Sequence, residues 1–274
     1  MPKTCIKAGH DFRHSLLFSQ QTVFKMVVYL SLESPLVATL RMAHCMTTFA
    51  DRILQFNQHL HFEGALPDGI GILNPFREQP GVTEVAAQFY RKYYDDPHPR
   101  HLILGINPGR LGAGLTGVPF TDPKRLEEKC GIPFPGPKAH EPSSVFVYEV
   151  VEAYGGPKAF YRNFYIHSVC PLGFVKKNEK GEVNYNYYDS KALTRAVKGF
   201  IVDNIRQQIA MGVRTETCFC FGTGQNFHFL EALNREHGFF GQVIPLEHPR
   251  FIMQYKAKEK AAYVEKYLAA FGRL

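Results

Sequence analysis

The chain has no tryptophan, only six cysteines in 274 residues and no long apolar run, and each shortage closes off a class of protein. The most apolar early stretch, Val23 to Leu40, is broken by Lys25, Glu33 and Pro35. It falls short of the roughly 20 apolar residues that a membrane-spanning helix needs. Asp11, Arg13 and the Gln20-Gln21 pair precede it, which does not suit a secretory leader. The cysteines (Cys5, Cys45, Cys130, Cys170, Cys218 and Cys220) form no repeated C-x-x-C pairs. That usage suits a reducing, cytoplasmic setting better than a disulfide scaffold, and it offers no four-cysteine spacing for an iron–sulfur cluster. Cys218 and Cys220 fall on one face of a strand pattern and read as core. His59-x-His61 with Glu63 lacks the further ligand a metal site would require. No metal and no cofactor is therefore expected. An acidic excess is also missing: 32 Lys and Arg against 25 Asp and Glu give a charge of +7 and a pI near 9.0. A mild basic excess suits a polyanionic partner without establishing one.

What is present is an ordinary globular composition, 45% hydrophobic, with no internal repeat. Residues 1–45 show little periodicity and read as an N-terminal extension, disordered or a mis-assigned start; a new start at Met46 leads into a domain over 46–274. Helical spacing connects Phe49, Ile53, Phe56 and Leu60, and Pro67, Gly69 and Gly71 mark a loop. Helix patterns then cover Val82–Tyr94, Val145–Tyr154, Leu193–Met211, Gln225–His237 and Lys256–Phe271. Strand patterns cover His101–Ile106, Phe160–Val169, Thr217–Phe221 and Val243–Leu246, with Phe164, Ile166 and Ser168 on one face of the second. Strands alternating with helices predict an α/β domain of three layers, α/β/α, around a central, mostly parallel four-stranded sheet.

Ligands of such sheets bind beyond the carboxyl ends of the strands. Three ends carry unusual residues: Gly105-Ile106-Asn107-Pro108-Gly109 running on to Thr116-Gly117-Val118-Pro119-Phe120, then His167-Ser168-Val169-Cys170-Pro171-Leu172, then His248-Pro249-Arg250. The glycines of the first end fit neither G-x-G-x-x-G nor a phosphate-binding loop ending in Gly-Lys. Taken alone, Asn-Pro-Gly reads as a turn, His248 as a turn histidine and Phe120 as core. Cys170 beside His167 has no activating neighbour that would make it a nucleophile.

Taken together, the three segments resemble the uracil-DNA glycosylase superfamily, in particular its single-strand-selective monofunctional branch. That branch has G-M-N-P-G, a phenylalanine-glycine pair and T-G-V-P-F in the first signature, and His-Pro in the last. The likeness spans about residues 49–271. It implies a uracil-DNA glycosylase fold and hydrolysis of the N-glycosidic bond of a flipped-out uracil in DNA, initiating base excision repair. By the same resemblance, Asn107 would position the attacking water. His248 would donate to charge building on a base carbonyl, Phe120 would stack on the base, and the Ile106 backbone would meet its edge. Gly109 would leave room for C5-modified uracils. Ser168 stands where the branch has asparagine, which implies relaxed selectivity reaching deaminated purines such as xanthine.

For DNA itself, single- or double-stranded, phosphate contacts are expected from Lys176, Lys177 and Lys180 on a loop and from Arg250 and Lys256, with Arg250 or Phe251 wedging into the duplex. A monomer is expected, nucleoid-associated if the source is bacterial. The alternative is a catalytically silent binder of damaged or single-stranded DNA on the same fold. Retained Asn107 and His248 weigh against it, because binding alone requires neither.

Overall fold

The computed structural model describes residues 47–272 apart from Pro80 and Lys180. The extension expected over residues 1–45 and the expected phosphate contact Lys180 therefore lie outside the described residues. Thr48 opens the first helix, α1 (Phe49–His59), with a capping box: its Oγ1 accepts from the Asp51 N–H at 3.1 Å while its own N–H donates to Asp51 Oδ2 at 3.1 Å.

The main sheet is built from β2 (His101–Gly105), β3 (Phe164–Ser168), β6 (Arg214–Phe221) and β7 (Gln242–Leu246). All neighbours are parallel, in the order β3-β2-β6-β7. Its two faces are covered by different helices, as alternation along β3 shows. Phe164 packs on Phe271 of the last helix, α11 (Lys260–Phe271), at 4.6 Å between ring centroids. Tyr165 and His167 face the other way, against Phe49 and Phe56 of α1. Cys218 and Cys220 are fully buried, as a core role requires.

The register aligns the strand ends: Gly105 pairs with Ser168, and Phe221 with Leu246. Each of the three sequence segments leaves the sheet at that common edge. Sequence spacing alone could not bring them together; parallel pairing does.

A second, three-stranded antiparallel sheet departs from expectation. It consists of β1 (Ile70–Leu73), β4 (Gly173–Asn178) and β5 (Gly181–Tyr185), in the order β1-β4-β5. Gly71 made β1 read as loop, yet Gly71 lies opposite Val175, where a Cβ would come within 3.1 Å of its methyl group. The lysine segment is likewise a β-hairpin rather than a loop, with Lys176 paired to Val183 and Asn178 to Gly181. Two further corrections concern boundaries. Phe160–Asn163 belongs to a helix, α7 (Pro157–Asn163), because Pro157 in its first turn starts a helix that the aromatic pattern disguised as strand. The closing helix expected over Lys256–Phe271 is two pieces, a 3₁₀ turn over Ala257–Glu259 and α11, and a separate helix, α10 (Pro249–Tyr255), precedes it. No described helix is long and apolar enough to cross a membrane.

Candidate active site

At the carboxyl edge of the parallel sheet lies a cleft of about 270 Å³. It gathers Ile106, Asn107, Gly109, Phe120, Ser168, His248, Arg250 and Phe251 from the three segments.

Asn107 follows β2, and its amide is fixed by main chain. The Tyr187 N–H donates to its Oδ1 at 3.1 Å, and its Nδ2 donates to the carbonyls of Tyr185 at 3.3 Å and Pro108 at 3.4 Å. A main-chain N–H can only donate and a carbonyl can only accept, so the flipped amide is excluded. Both amide hydrogens are thus spoken for. What Asn107 has left is one acceptor position on Oδ1.

His248 caps α10, accepting the Arg250 N–H on Nδ1 at 3.1 Å. Burial, and secondarily the Arg250 guanidinium, hold its imidazole well below the ordinary range, at about 4. Near neutral pH the ring is uncharged, and the proton must sit on Nε2 because Nδ1 is an acceptor. The ring therefore presents an N–H donor without a positive charge.

Phe120 lines the same cleft. It is the sole described non-glycine residue with positive φ, at 53°, a conformation that costs about 1–3 kcal/mol and that the surroundings must impose. Its ring lies edge-on to Phe221 at 5.3 Å and tilted to His248 at 5.7 Å. Gly105 beneath it cannot carry a side chain, because a Cβ would meet the ring at 2.8 Å. The strained backbone and the glycine together set one flat apolar surface into the cleft.

The main-chain carbonyl of Ile106 accepts the Cys170 N–H at 3.1 Å, binding the first segment to the second. Ser168 is buried at the cleft, whereas His167 points through the sheet to the opposite face. There, burial pushes its imidazole down to about 4. Only Ser168 of that pair can touch a ligand. Beside Gly109 stand a carboxyl and an amide: a Cβ on Gly109 would be 3.5 Å from Glu141 Oε1 and 3.6 Å from Asn184 Nδ2. Burial, reinforced by the Asp122 carboxylate, raises Glu141 to about 7, while the Ser144 hydroxyl and Arg250 oppose the shift. Among the described residues no lysine lines the cleft. Among the described residues no three His, Cys, Asp or Glu side chains gather as a metal site would need.

The sequence profile of the uracil DNA glycosylase superfamily matches residues 91–272. The chain belongs to that superfamily. The single-strand selective monofunctional uracil DNA glycosylase of Mus musculus is 24% identical over 161 residues, 52% of this chain and 57% of the mouse protein. Its Rattus norvegicus counterpart is 25% identical over 158 residues, 50% of this chain and 56% of the rat protein. The chain thus spans little more than half the length of these curated relatives. The crystal structure of wild-type SMUG2 from Pedobacter heparinus is similar with a TM-score of 0.82 at 56% identity, over 83% of this chain and 98% of that one. Resemblance to the single-strand-selective branch of uracil-DNA glycosylases is thereby matched in both sequence and fold.

Within this superfamily member, the expected DNA-contacting residues divide. Arg250 and the exposed Phe251 stand at the cleft, in the first turn of α10. Lys256 is paired with Glu259 at 3.0 Å and does not line the cleft. Lys176 and Lys177 are exposed on β4, with the Lys176 ammonium 5.6 Å from the Tyr185 ring centroid. They lie just beyond the pair Val175–Asn184, whose Asn184 forms part of the cleft wall. Sequence reasoning missed Glu141, Asn184, Asn186, Tyr188, Gln254 and Tyr255, all of which line the cleft. The signal for three of them was visible. Asn184-Tyr185-Asn186-Tyr187-Tyr188 alternates amides and aromatics at the end of the lysine hairpin and beyond it, an unusual run for a plain strand exit.

Proposed function

We propose that this protein is a monofunctional DNA glycosylase that hydrolyses the N-glycosidic bond of uracil, and of C5-modified uracils or deaminated purines such as xanthine, in DNA. The observation that carries the reading is that one cleft lined by Phe120 holds both Asn107, whose remaining open position is an acceptor, and a neutral His248, whose remaining open position is a donor. A flipped base would stack on Phe120 with a carbonyl toward His248 Nε2–H. As the bond from the base nitrogen to C1′ breaks, its electron pair moves into the base, and the imidazole N–H stabilises the growing oxyanion. A neutral donor suits this step, since it need not surrender its proton. The water held by Asn107 Oδ1 then supplies the oxygen that bonds to C1′ of the cationic sugar, and its proton leaves to solvent. An amide is a weak base, which suffices once the leaving group has gone.

Gly109 supports acceptance of C5 substituents, since the space beside it is bounded by groups that can exchange hydrogen bonds, Glu141 and Asn184. Ser168, shorter and less directional than an amide, supports relaxed base selection. Phosphate contact by Lys176, Lys177, Lys180, Arg250 and Lys256, action as a monomer in the cytoplasm, and entry of the product into base excision repair belong to the same reading.

The test is single-turnover excision from single- and double-stranded oligonucleotides carrying uracil, 5-hydroxymethyluracil or xanthine. Alkali-labile abasic sites are expected without strand cleavage, and both Asn107→Ala and His248→Ala should be severely impaired. Tight DNA binding with no excision of any base would overturn the reading in favour of a silent binder.

A further inference from the structure

Asn107 does not orient itself. The segment that clamps its amide, Tyr185 to Tyr187, is the exit of β5 from the antiparallel sheet, and an exit strand needs an anchor of its own. Tyr187 provides one. Its side chain is fully buried, and its phenol donates to Asn226 Oδ1 at 2.8 Å. Burial holds that phenol protonated, so the O–H is the donor.

Asn226 lies in the first turn of helix α9 (Gln225–His237) and is 2% exposed. Its Nδ2 donates to the Phe221 carbonyl at 3.1 Å and the Gly105 carbonyl at 3.4 Å, and lies 3.3 Å from Cys220 Sγ. Gly105 ends β2 and Phe221 ends β6, two paired strands that finish at the cleft edge. Because those carbonyls can only accept, the Asn226 amide also has a single permitted orientation, with Oδ1 turned to the phenol.

Tyr187 donates at both ends of the connection, its phenol to Asn226 and its main-chain N–H to Asn107. Asn226 reads the position of the parallel strand ends, Tyr187 is hung from Asn226, and the Tyr187 N–H sets Asn107. Ring contacts of Tyr187 with Tyr188 and Phe229, each at 5.0 Å between centroids, fix the side chain laterally. The chemistry of the cleft touches neither Tyr187 nor Asn226, and a purely apolar pair would fill the same core volume at no desolvation cost. A buried, fully directed polar pair at this place calls for a positional reason.

We propose that Tyr187 and Asn226 are positioning residues that hold the Asn107 amide to the ends of β2 and β6, so that its one open acceptor position faces the reacting water. The inference rests on the glycosylase reading above and adds to it two residues outside the cleft wall. Misplacement of a water by about 1 Å costs on the order of a hundredfold in rate.

Tyr187→Phe removes the phenol and retains the ring. In single-turnover excision of uracil from an oligonucleotide, the maximal rate should fall about 10- to 100-fold with the DNA dissociation constant unchanged. The loss should vanish in an Asn107→Ala background, because the relay then has nothing to position, and should persist in full in a His248→Ala background. A loss repeated in full with Asn107→Ala would mark Tyr187 as merely structural and overturn the proposal, as would a Tyr187→Phe rate equal to wild type. Should Tyr187→Phe not fold, Asn226→Ser, which shortens the acceptor away from the phenol, is measured against the same expectations. A wild-type chain that excises nothing takes down the glycosylase reading and the relay together. Wild-type activity with no coupling to Asn107 takes down the relay alone.

Discussion

The two ends of the parallel sheet use buried polar groups in opposite ways. At the amino end Arg100, with no exposed surface, forks onto Asp96 at 2.5 and 2.8 Å. It also donates to the carbonyls of His98 and Tyr161, and its guanidinium lies 5.2 Å from the ring centroids of both Phe49 and Tyr94. Little donor capacity remains, and nothing there could receive a ligand. At the carboxyl end Asn107 keeps one acceptor position on Oδ1 uncommitted, and His248 keeps its Nε2–H. Saturated polar groups hold elements together, whereas groups that the fold orients but does not saturate are available for chemistry.

This contrast can be broken by exchanging the readouts. Asn107→Ala should lower the maximal excision rate by about 10²–10⁴-fold, the range for a positioned acid–base group, while leaving the Tm near that of wild type. Arg100→Ala should do the reverse. It strands the Asp96 carboxylate and should cost about 3–5 kcal/mol in denaturant unfolding, with the rate per folded molecule preserved. An Arg100→Ala protein of normal stability, or an Asn107→Ala protein that unfolds early, would erase the distinction.

His167 sharpens the comparison, because it shares its low basicity with His248 but faces core rather than cleft. Its folded value of about 4 lies below the ordinary 6.5. Between those values the unfolded chain binds a proton that the native chain does not, so stability is complete above pH 6.5 and falls as pH drops toward 4. The loss approaches about 3 kcal/mol from this group. His167→Phe should shallow that acid limb in urea titrations across pH 4–7, leaving the part that His248 contributes, without moving the excision rate at neutral pH; an unchanged limb would remove His167 from the account.

The smallest effect concerns the exposed lysines. Lys176→Ala with Lys177→Ala should weaken DNA binding evenly across sequences and reduce the salt slope by about two, while bound-state excision stays intact. A salt slope equal to wild type would place the DNA path elsewhere.

Much of the architecture was legible because period and punctuation are local. The capping residues before Phe49, the helix repeat of Val82–Tyr94 and the buried run of Leu102–Leu104 each carry their own signal. The antiparallel sheet was not legible. Its strands are short, half of β4 and most of β5 are polar and exposed, and β1 pairs with β4 across about a hundred residues. Phe160–Asn163 misled for a related reason, since aromatic residues mark strand and buried helix equally well.

By itself the sequence determined the α/β alternation, the superfamily signatures and the identities of Asn107, Phe120, Ser168 and His248, because those depend on residue type and spacing along one chain. Only the tertiary structure decided which atom of each side chain faces the cleft. Hydrogen bonds from Tyr187 to Asn107 and from Arg250 to His248 select one amide orientation and one imidazole tautomer. A main-chain donor delivered across 80 residues by a separate sheet leaves no trace in the local pattern that it controls.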